Sequence, residues 1–271
     1  MEPKYGAKEQ FAEYDTSPPA GPEAQKHVQK VNGKFLWYAR GVDGTLLTPL
    51  SALASQQSKP TLKTMKRVKQ FLDYCATQEP AVLTYRKSDM VLSIHSDASY
   101  LSEPKARSRA GGHHFLSEDI PLPPNNGAIL TISTIIKAVM SSAAEAELGA
   151  LFLNAKEAVY LRRMLADMGY PQPQTPIQTD NSTAEGIINT LVQPKRTKAM
   201  DMHFHWLHDR EAQGQFRIHW RPGKTNLADY FTKYHPPMHH VNVRSEFLSK
   251  VKDLAEARRQ REELGQTKSQ F

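Results

Sequence analysis

The sequence is poor in cysteine, with Cys75 the only one in 271 residues. No intramolecular disulfide can form, so a packed core must hold the fold, and a reducing compartment is the natural expectation. Long apolar runs are missing too; none approaches the roughly 18–20 residues needed to cross a bilayer. The opening stretch MEPKYGAKEQFAEYD is polar and mixed in charge, without the apolar centre of a secretory signal. The expectation is a chain that is neither membrane-spanning nor secreted. No internal repeat is present.

What the sequence does have is an ordinary globular composition, 39% hydrophobic and 23% charged, which argues against disorder. The formal net charge of +7 suits a polyanionic partner. Many basic proteins never touch nucleic acid, so the distribution of charge matters more than its sum.

Residues 1–24 are rich in Pro, Gly and charge and read as an extended lead-in. From about Ala24 to Gln78 the pattern is helical; Leu62, Met65, Val68, Leu72 and Cys75 recur every three or four residues, with Lys63, Lys66, Arg67 and Lys69 between them. At about Met90 the period becomes alternating: Leu92, Ile94 and Ala98 face one way, Ser93, His95, Asp97 and Ser99 the other. A basic loop (KARSRA), a second strand (GGHHFLSED), a turn (PPNNG) and a third strand (AILTIST) follow, giving an antiparallel meander. A long helix starts at Ser141–Ser142, where Glu145 sits in the capping-box position, and its apolar stripe runs to a stop at Gly169. Then come a strand (PIQTD), a helix capped by Asn181 or Ser182, a helix over about 199–213, a strand (FRIHWRP) and a short helix over about 226–234. The order β-β-β-α-β-α-α-β-α predicts an α/β fold, a mixed sheet with helices packed on it and a small helical segment before it. The expected divisions are 1–24 lead-in, 25–87 helical segment, 88–236 α/β domain and 237–271 charged tail.

Four carboxylates stand where that fold could gather them. Asp97 is on the polar face of the first strand, Glu147 in the second turn of the long helix, Asp180 at the end of the fourth strand and Asp229 in the last short helix. Convergent carboxylates on rigid elements are what a pair of magnesium ions requires. Each residue also has an ordinary explanation. An Asp that ends a strand often caps a turn, Asp229 could be an exposed helical residue, and Glu147 has a rival in Glu145. Two positions on a helix differ by about 200°, so only one of the two glutamates can join the cluster. Glu145 serves as the cap partner and the apolar stripe drifts towards the Glu147 side in its later turns, so Glu147 is the better candidate, by a mild preference.

The segments HSDASY, SSAAEAELGAL, QTDNSTA and TNLADYFTK, in this order and spacing, resemble the ribonuclease H domain of copia-type retrotransposon polyproteins. Upstream, YGAKEQFAEYD, VNGKFLWYARGVD, TMKRVKQFLDY and LTYRKSDMVL resemble the stretch that joins the end of a reverse transcriptase to its nuclease. The resemblance covers about residues 4–240 and implies a ribonuclease H-like five-stranded mixed sheet flanked by helices. Residues 25–87 would then be a remnant of the thumb or connection region. It further implies two-metal endonucleolytic hydrolysis of the RNA strand of RNA–DNA hybrids, using two Mg2+ (Mn2+ as a substitute), with 5′-phosphate and 3′-hydroxyl products. Asp97 would bridge both metals, Glu147 and Asp180 would hold the leaving-group metal, and Asp229 the metal on the side of the attacking water. Implied partners are the hybrid and the remainder of the reverse transcriptase; the implied setting is the cytoplasm, in virus-like particles, with nuclear access. The sequence departs from many ribonucleases H in lacking a histidine shortly before the last acidic residue, where the stretch is WRPGKTNLAD. It also lacks a YxDD-type polymerase motif, so no polymerase activity is expected.

Basic residues fall in three clusters around these carboxylates: Lys105, Arg107 and Arg109; Lys195, Arg196 and Lys198; and Arg217 and Arg221. With Asn181 and Ser182 they are candidates for phosphate and minor-groove contacts, His95 being a further candidate. Each cluster taken alone reads equally well as a solvated loop. His203, His205 and His208 match no structural zinc spacing, and no cysteine lies nearby. Two other readings remain open: a retroelement remnant that binds nucleic acid without cutting it, and an integrase-like enzyme, against which Asp229 argues.

Overall fold

The computed structural model describes residues 15–189 and 201–250. Three helices come first: α1 (Gly21–Gly41), α2 (Leu47–Gln56) and α3 (Leu62–Thr77). They bury Val28, Val31, Leu46, Leu50, Leu53, Val68 and Phe71 in a core of their own. Helix α1 begins at Gly21, so part of the expected lead-in is helical. The start of α3 is fixed by Thr61 and Thr64, whose side chains each accept the other's backbone N–H. Its buried side is Thr64, Val68 and Phe71 rather than the full stripe expected, and Leu62 is half exposed. Lys66, Arg67 and Lys69 are exposed.

The sheet follows as β1 (Val91–Glu103), β2 (Arg107–Ser117), β3 (Ala128–Ile135), β4 (Thr175–Thr179) and β5 (Phe216–Trp220). Its order is β3-β2-β1-β4-β5, antiparallel through β1–β3 and parallel from β1 to β4 to β5. This is the mixed five-stranded sheet expected. Helix α4 (Ala143–Asp167) lies on one face and closes the main core over Leu92, Ile94, Ala110, Ile177 and Ile218. Ser142 caps it by accepting from the Glu145 N–H at 3.1 Å, while the Glu145 carboxylate reaches back to the N–H of Ser141. Gly169 ends it with φ +91°, a left-handed conformation that side chains disfavour. Helices α5 (Ser182–Ile188) and α6 (Asp201–Ala212) complete that side.

Several boundaries differ from expectation. The basic loop is shorter: Arg107 to Ala110 belong to β2, and the turn is made by Lys105 and Ala106, both left-handed. Positive φ at two successive residues favours Gly or Asn, so composition hid how tight this turn is, though not the hairpin itself. The last short helix is a 3₁₀ turn, Leu227–Phe231, with Asn226 capping it through the Ala228 N–H. The first part of the charged tail is helical and packed. Helix α7 (Pro237–Phe247) packs Phe247, with Leu248, against Tyr230 and Phe231.

The helical segment docks on the sheet. Thr48 donates to the carbonyl of Phe231 at 3.2 Å, Arg244 of α7 pairs with Asp43 at 3.2 Å, and the Tyr74 hydroxyl meets His240 Nε2 at 2.5 Å.

Candidate metal-binding active site

Strand β1 carries Asp97 opposite Gly111 of β2, on its polar side. Parallel pairing of β4 with β1 and β5 puts Thr179 beside Trp220, so the chain leaves β4 at Asp180 at the same end of the sheet. Helix α4 crosses that end and lowers Glu147 onto it. Oxygen atoms of Asp97, Glu147 and Asp180 all lie within 4.8 Å of one another. Glu145 is the cap residue and Glu147 the inward one, as helix rotation requires.

Each member is held by neighbours. Asp97 is 4% exposed, and its Oδ2 accepts a 2.6 Å hydrogen bond from Thr232 Oγ1. Glu147 is 7% exposed; Oε1 accepts from the Ala98 N–H at 3.2 Å, while the buried Oε2 has no hydrogen-bond partner. Asp180 is half-buried, and its backbone carbonyl accepts from Trp220 Nε1 at 2.9 Å. A Cβ on Gly223 would lie 2.6 Å from Asp180 Oδ2, so a larger residue there would push the Asp180 carboxylate aside. Asp229, in the 3₁₀ turn, stands outside the tight trio and pairs with Lys233 Nζ at 2.5 Å.

The electrostatics follow from burial. Asp97 is pushed up to about 7, by desolvation first and then by Asp229. Glu147 is pushed well up by desolvation and by Asp97, and Asp180 is raised chiefly by burial, with Asp229 adding to it. Three carboxylates partly removed from water repel one another, a repulsion that a cation between them would relieve. The donor set is all oxygen, which suits a hard divalent ion, and the buried Glu147 Oε2 has no hydrogen-bond partner competing for it. The residues therefore fit a divalent metal.

The basic candidates do not all gather here. Arg109 is fully buried, bonded to Glu103 at 2.7 Å and to Ser133 at 3.0 Å; it braces the β1–β2 hairpin and cannot reach a phosphate. Lys105 is exposed and Arg107 half-buried at the hairpin tip beyond Asp97. Arg221 lines a cavity that Asp229 also lines, whereas Arg217 is exposed at the start of β5, paired with Pro176 and away from Asp180. Lys195, Arg196 and Lys198 lie outside the described residues. Asn181 is used as the cap of α5 through the Ala184 N–H at 2.9 Å, and Ser182 is exposed beside it. His95 is held as a neutral ring, its value pushed down to about 3 by burial, with Nδ1 accepting from the Leu227 N–H. It positions the turn that carries Asp229.

Sequence reasoning missed Thr232, Lys233, Gly223 and Asn154. Thr232 and Lys233 sit inside TNLADYFTK, directly after Asp229. Asn154 lies two helical turns beyond Glu147 on the same face, a spacing that could have marked it. Its amide nitrogen bonds Ser96 Oγ and the Gly111 carbonyl, tying α4 to the strand pair beneath Asp97.

Fold and site together define an α/β domain with a carboxylate cluster at one end of a mixed sheet. No protein-family model matches the chain. It is similar to the retrovirus-related Pol polyprotein from transposon TNT 1-94 of Nicotiana tabacum, 27% identical over 169 residues. That match covers 62% of this chain and 12% of the polyprotein, and it bears out the retrotransposon resemblance. Among solved structures, the N-terminal RNase H domain of a Mycobacterium tuberculosis protein is 16% identical over 53% of this chain and 91% of that one, with a TM-score of 0.38. LC11-RNase H1 in complex with an RNA/DNA hybrid is 13% identical, covering 52% and 93%, with a TM-score of 0.39. The foamy viral protease-reverse transcriptase in complex with dsDNA is 9% identical, covering 77% and 39%, with a TM-score of 0.43.

Proposed function

We propose that the chain is a retrotransposon-derived ribonuclease H that hydrolyses the RNA strand of RNA–DNA hybrids, using two magnesium ions with manganese as a substitute. The observation that carries this reading is the convergence of Asp97, Glu147 and Asp180, drawn from a strand, a helix and a second strand, within 4.8 Å. Asp97, Glu147 and Asp180 would hold one ion, and Asp97 with Asp229 the other. Bound there, such ions supply activation of water and charge stabilisation of the leaving oxygen of a phosphodiester. The chain's own residues do the positioning. Thr232 fixes the Asp97 carboxylate, Asn226 and His95 hold the 3₁₀ turn of Asp229 against β1, and Trp220 fixes the backbone at Asp180. Lys105, Arg107 and Arg221, with Asn181 and Ser182, are the remaining candidates for gripping backbone and 2′-hydroxyl groups. Residues 25–87 are read as the end of a reverse transcriptase, the parent polyprotein as the partner, and the cytoplasm as the place of action.

One observation favours a second reading, a remnant that binds hybrids without cutting them: the Asp229 carboxylate is already engaged by Lys233. The two are separated by incubating the chain with labelled RNA–DNA hybrid, RNA duplex and DNA duplex, with and without magnesium. The expected outcome is cleavage of the hybrid alone, abolished by chelator and by Asp97→Asn. Hybrid binding with no cleavage at any magnesium or manganese concentration would sink the nuclease and leave the remnant.

A further inference from the structure

A groove of about 1000 Å³ runs along the seam between the leading helices and the sheet domain. Helices α2 and α3 form one wall; the segment after Asp229 and α7 form the other. Its cationic lining includes Arg67, Lys233 and Lys250, and no aspartate or glutamate lines it among the described residues. Arg244 also lines it but is paired with Asp43 behind the wall, so it counts for less. Interleaved with the cations are rings. Tyr234 is 66% exposed and is the open ring; Tyr74 is half-buried, and its hydroxyl and that of the buried Tyr230 both meet His240, which fixes the floor beneath. Two neighbouring apolar residues of α7, Met238 and Val241, are 71% and 65% exposed. Lys233 is paired with Asp229, but Arg67 and Lys250 have no ion-pair partner among the described residues, and a surface has little reason to hold Tyr234, Met238 and Val241 open beside them unless something lies on it.

We infer that this seam is a binding groove for single-stranded nucleic acid, specifically for the unpaired RNA tail that continues the strand entering the carboxylate site. A basic track with aromatic platforms is the chemistry of sequence-tolerant single-strand binding, phosphates meeting cations and bases stacking on rings. A duplex would present its phosphates and leave the rings unused. Lys233 lines the groove and its ammonium pairs with Asp229, so a strand lying in the groove passes beside one of the four carboxylates. The choice of strand rests on the nuclease reading; the chemistry of the groove does not.

The test uses the full chain in chelator, so that no cleavage can proceed. Fluorescence anisotropy compares a blunt RNA–DNA hybrid with the same hybrid carrying an oligo-uridine tail on the 5′ or the 3′ end of its RNA. A tail at one of the two ends is expected to tighten binding at least about fivefold, the lower end of what stacking one base on an aromatic ring contributes. The double variant Tyr234→Ala, Arg67→Gln is expected to bring the tailed-to-blunt ratio close to one. As a readout independent of any variant, a 4-thiouridine tail should crosslink to peptides from α3 or from 230–245 in the native chain. A ratio near one for both tails, or crosslinks confined to other segments, overturns the groove. Hybrid cleavage in magnesium is measured on the same preparation. If cleavage fails while the tail effect persists, the nuclease reading falls and the groove stands; the reverse result removes the groove alone.

Discussion

Thr232 shows how much of the site depends on a residue that never needs to touch substrate. Its hydroxyl donates to Asp97 Oδ2 at 2.6 Å and fixes which oxygen faces inward. Groups that orient metal ligands typically govern affinity or activity by about 10–100-fold. Thr232→Val should therefore weaken divalent-ion binding by about that factor, measured by titration calorimetry, and Thr232→Ser should restore it. An unchanged affinity in the valine variant would show that Asp97 needs no orienting. Arg109 is the converse case, a basic residue that looked like a phosphate ligand and is a brace. It is fully buried against Glu103, whose side chain is 10% exposed. Removing one partner of a buried pair typically costs about 3–5 kcal/mol. Arg109→Met should lower unfolding free energy by that order in urea melts, whereas Lys105→Ala at the exposed hairpin tip should leave it within about 0.5 kcal/mol.

Elements, not residues, explain what could be read in advance. The five strands and the long helix were legible because alternation and the 3.6-residue period are local, and because Ser142 and Gly169 punctuate α4. Three of the four carboxylates were assigned to elements that do converge. The β1–β2 turn falls inside the expected loop KARSRA. That expected loop is too long, because Lys105 and Ala106 adopt left-handed backbone without the residues that usually mark so tight a turn. The 3₁₀ turn of Asp229 was read as ordinary helix because five residues hold too little periodicity to separate the two. Its placement is tertiary. Gly111 of β2 lets the turn sit down, since a Cβ there would lie 2.6 Å from both the Ala228 carbonyl oxygen and Thr232 Cγ2. Backbone cannot step aside as a flexible side chain does. Gly111→Ala should displace the turn, destabilise by about 1–3 kcal/mol and lower divalent-ion affinity as well. Stability lost with affinity intact would mean that the turn does not set the site.

At the scale of the whole molecule, two sets of buried titratable groups pull stability in opposite directions with pH. Asp97, raised to about 7, and Glu147 and Asp180, also raised, hold protons in the folded state that an unfolded chain releases near pH 4. Their contribution is complete below that unfolded value and is lost as pH rises through the folded values. His95, His113 and His114 are pushed down by burial to about 3, 4 and 4, from an ordinary value of 6.5. The unfolded chain takes up those protons first, so this contribution is present above pH 6.5 and is lost as pH falls towards 4. Between roughly pH 4 and 6.5 the two trends oppose each other. Above that window only the carboxylates of these two sets act, and the metal-free chain should lose thermal stability as pH rises through about 7, the folded value of Asp97. A divalent ion binds the ionised cluster and not the unfolded chain, so it should return stability according to its occupancy. The shift in melting temperature on adding magnesium should therefore be larger at pH 8 than at pH 6, and Asp97→Asn should flatten both the metal-free decline and the magnesium response. A metal-free melting temperature constant from pH 6.5 to 8.5, with a magnesium shift equal at pH 6 and pH 8, would mean that the three carboxylates are neither strained by their burial nor relieved by a cation.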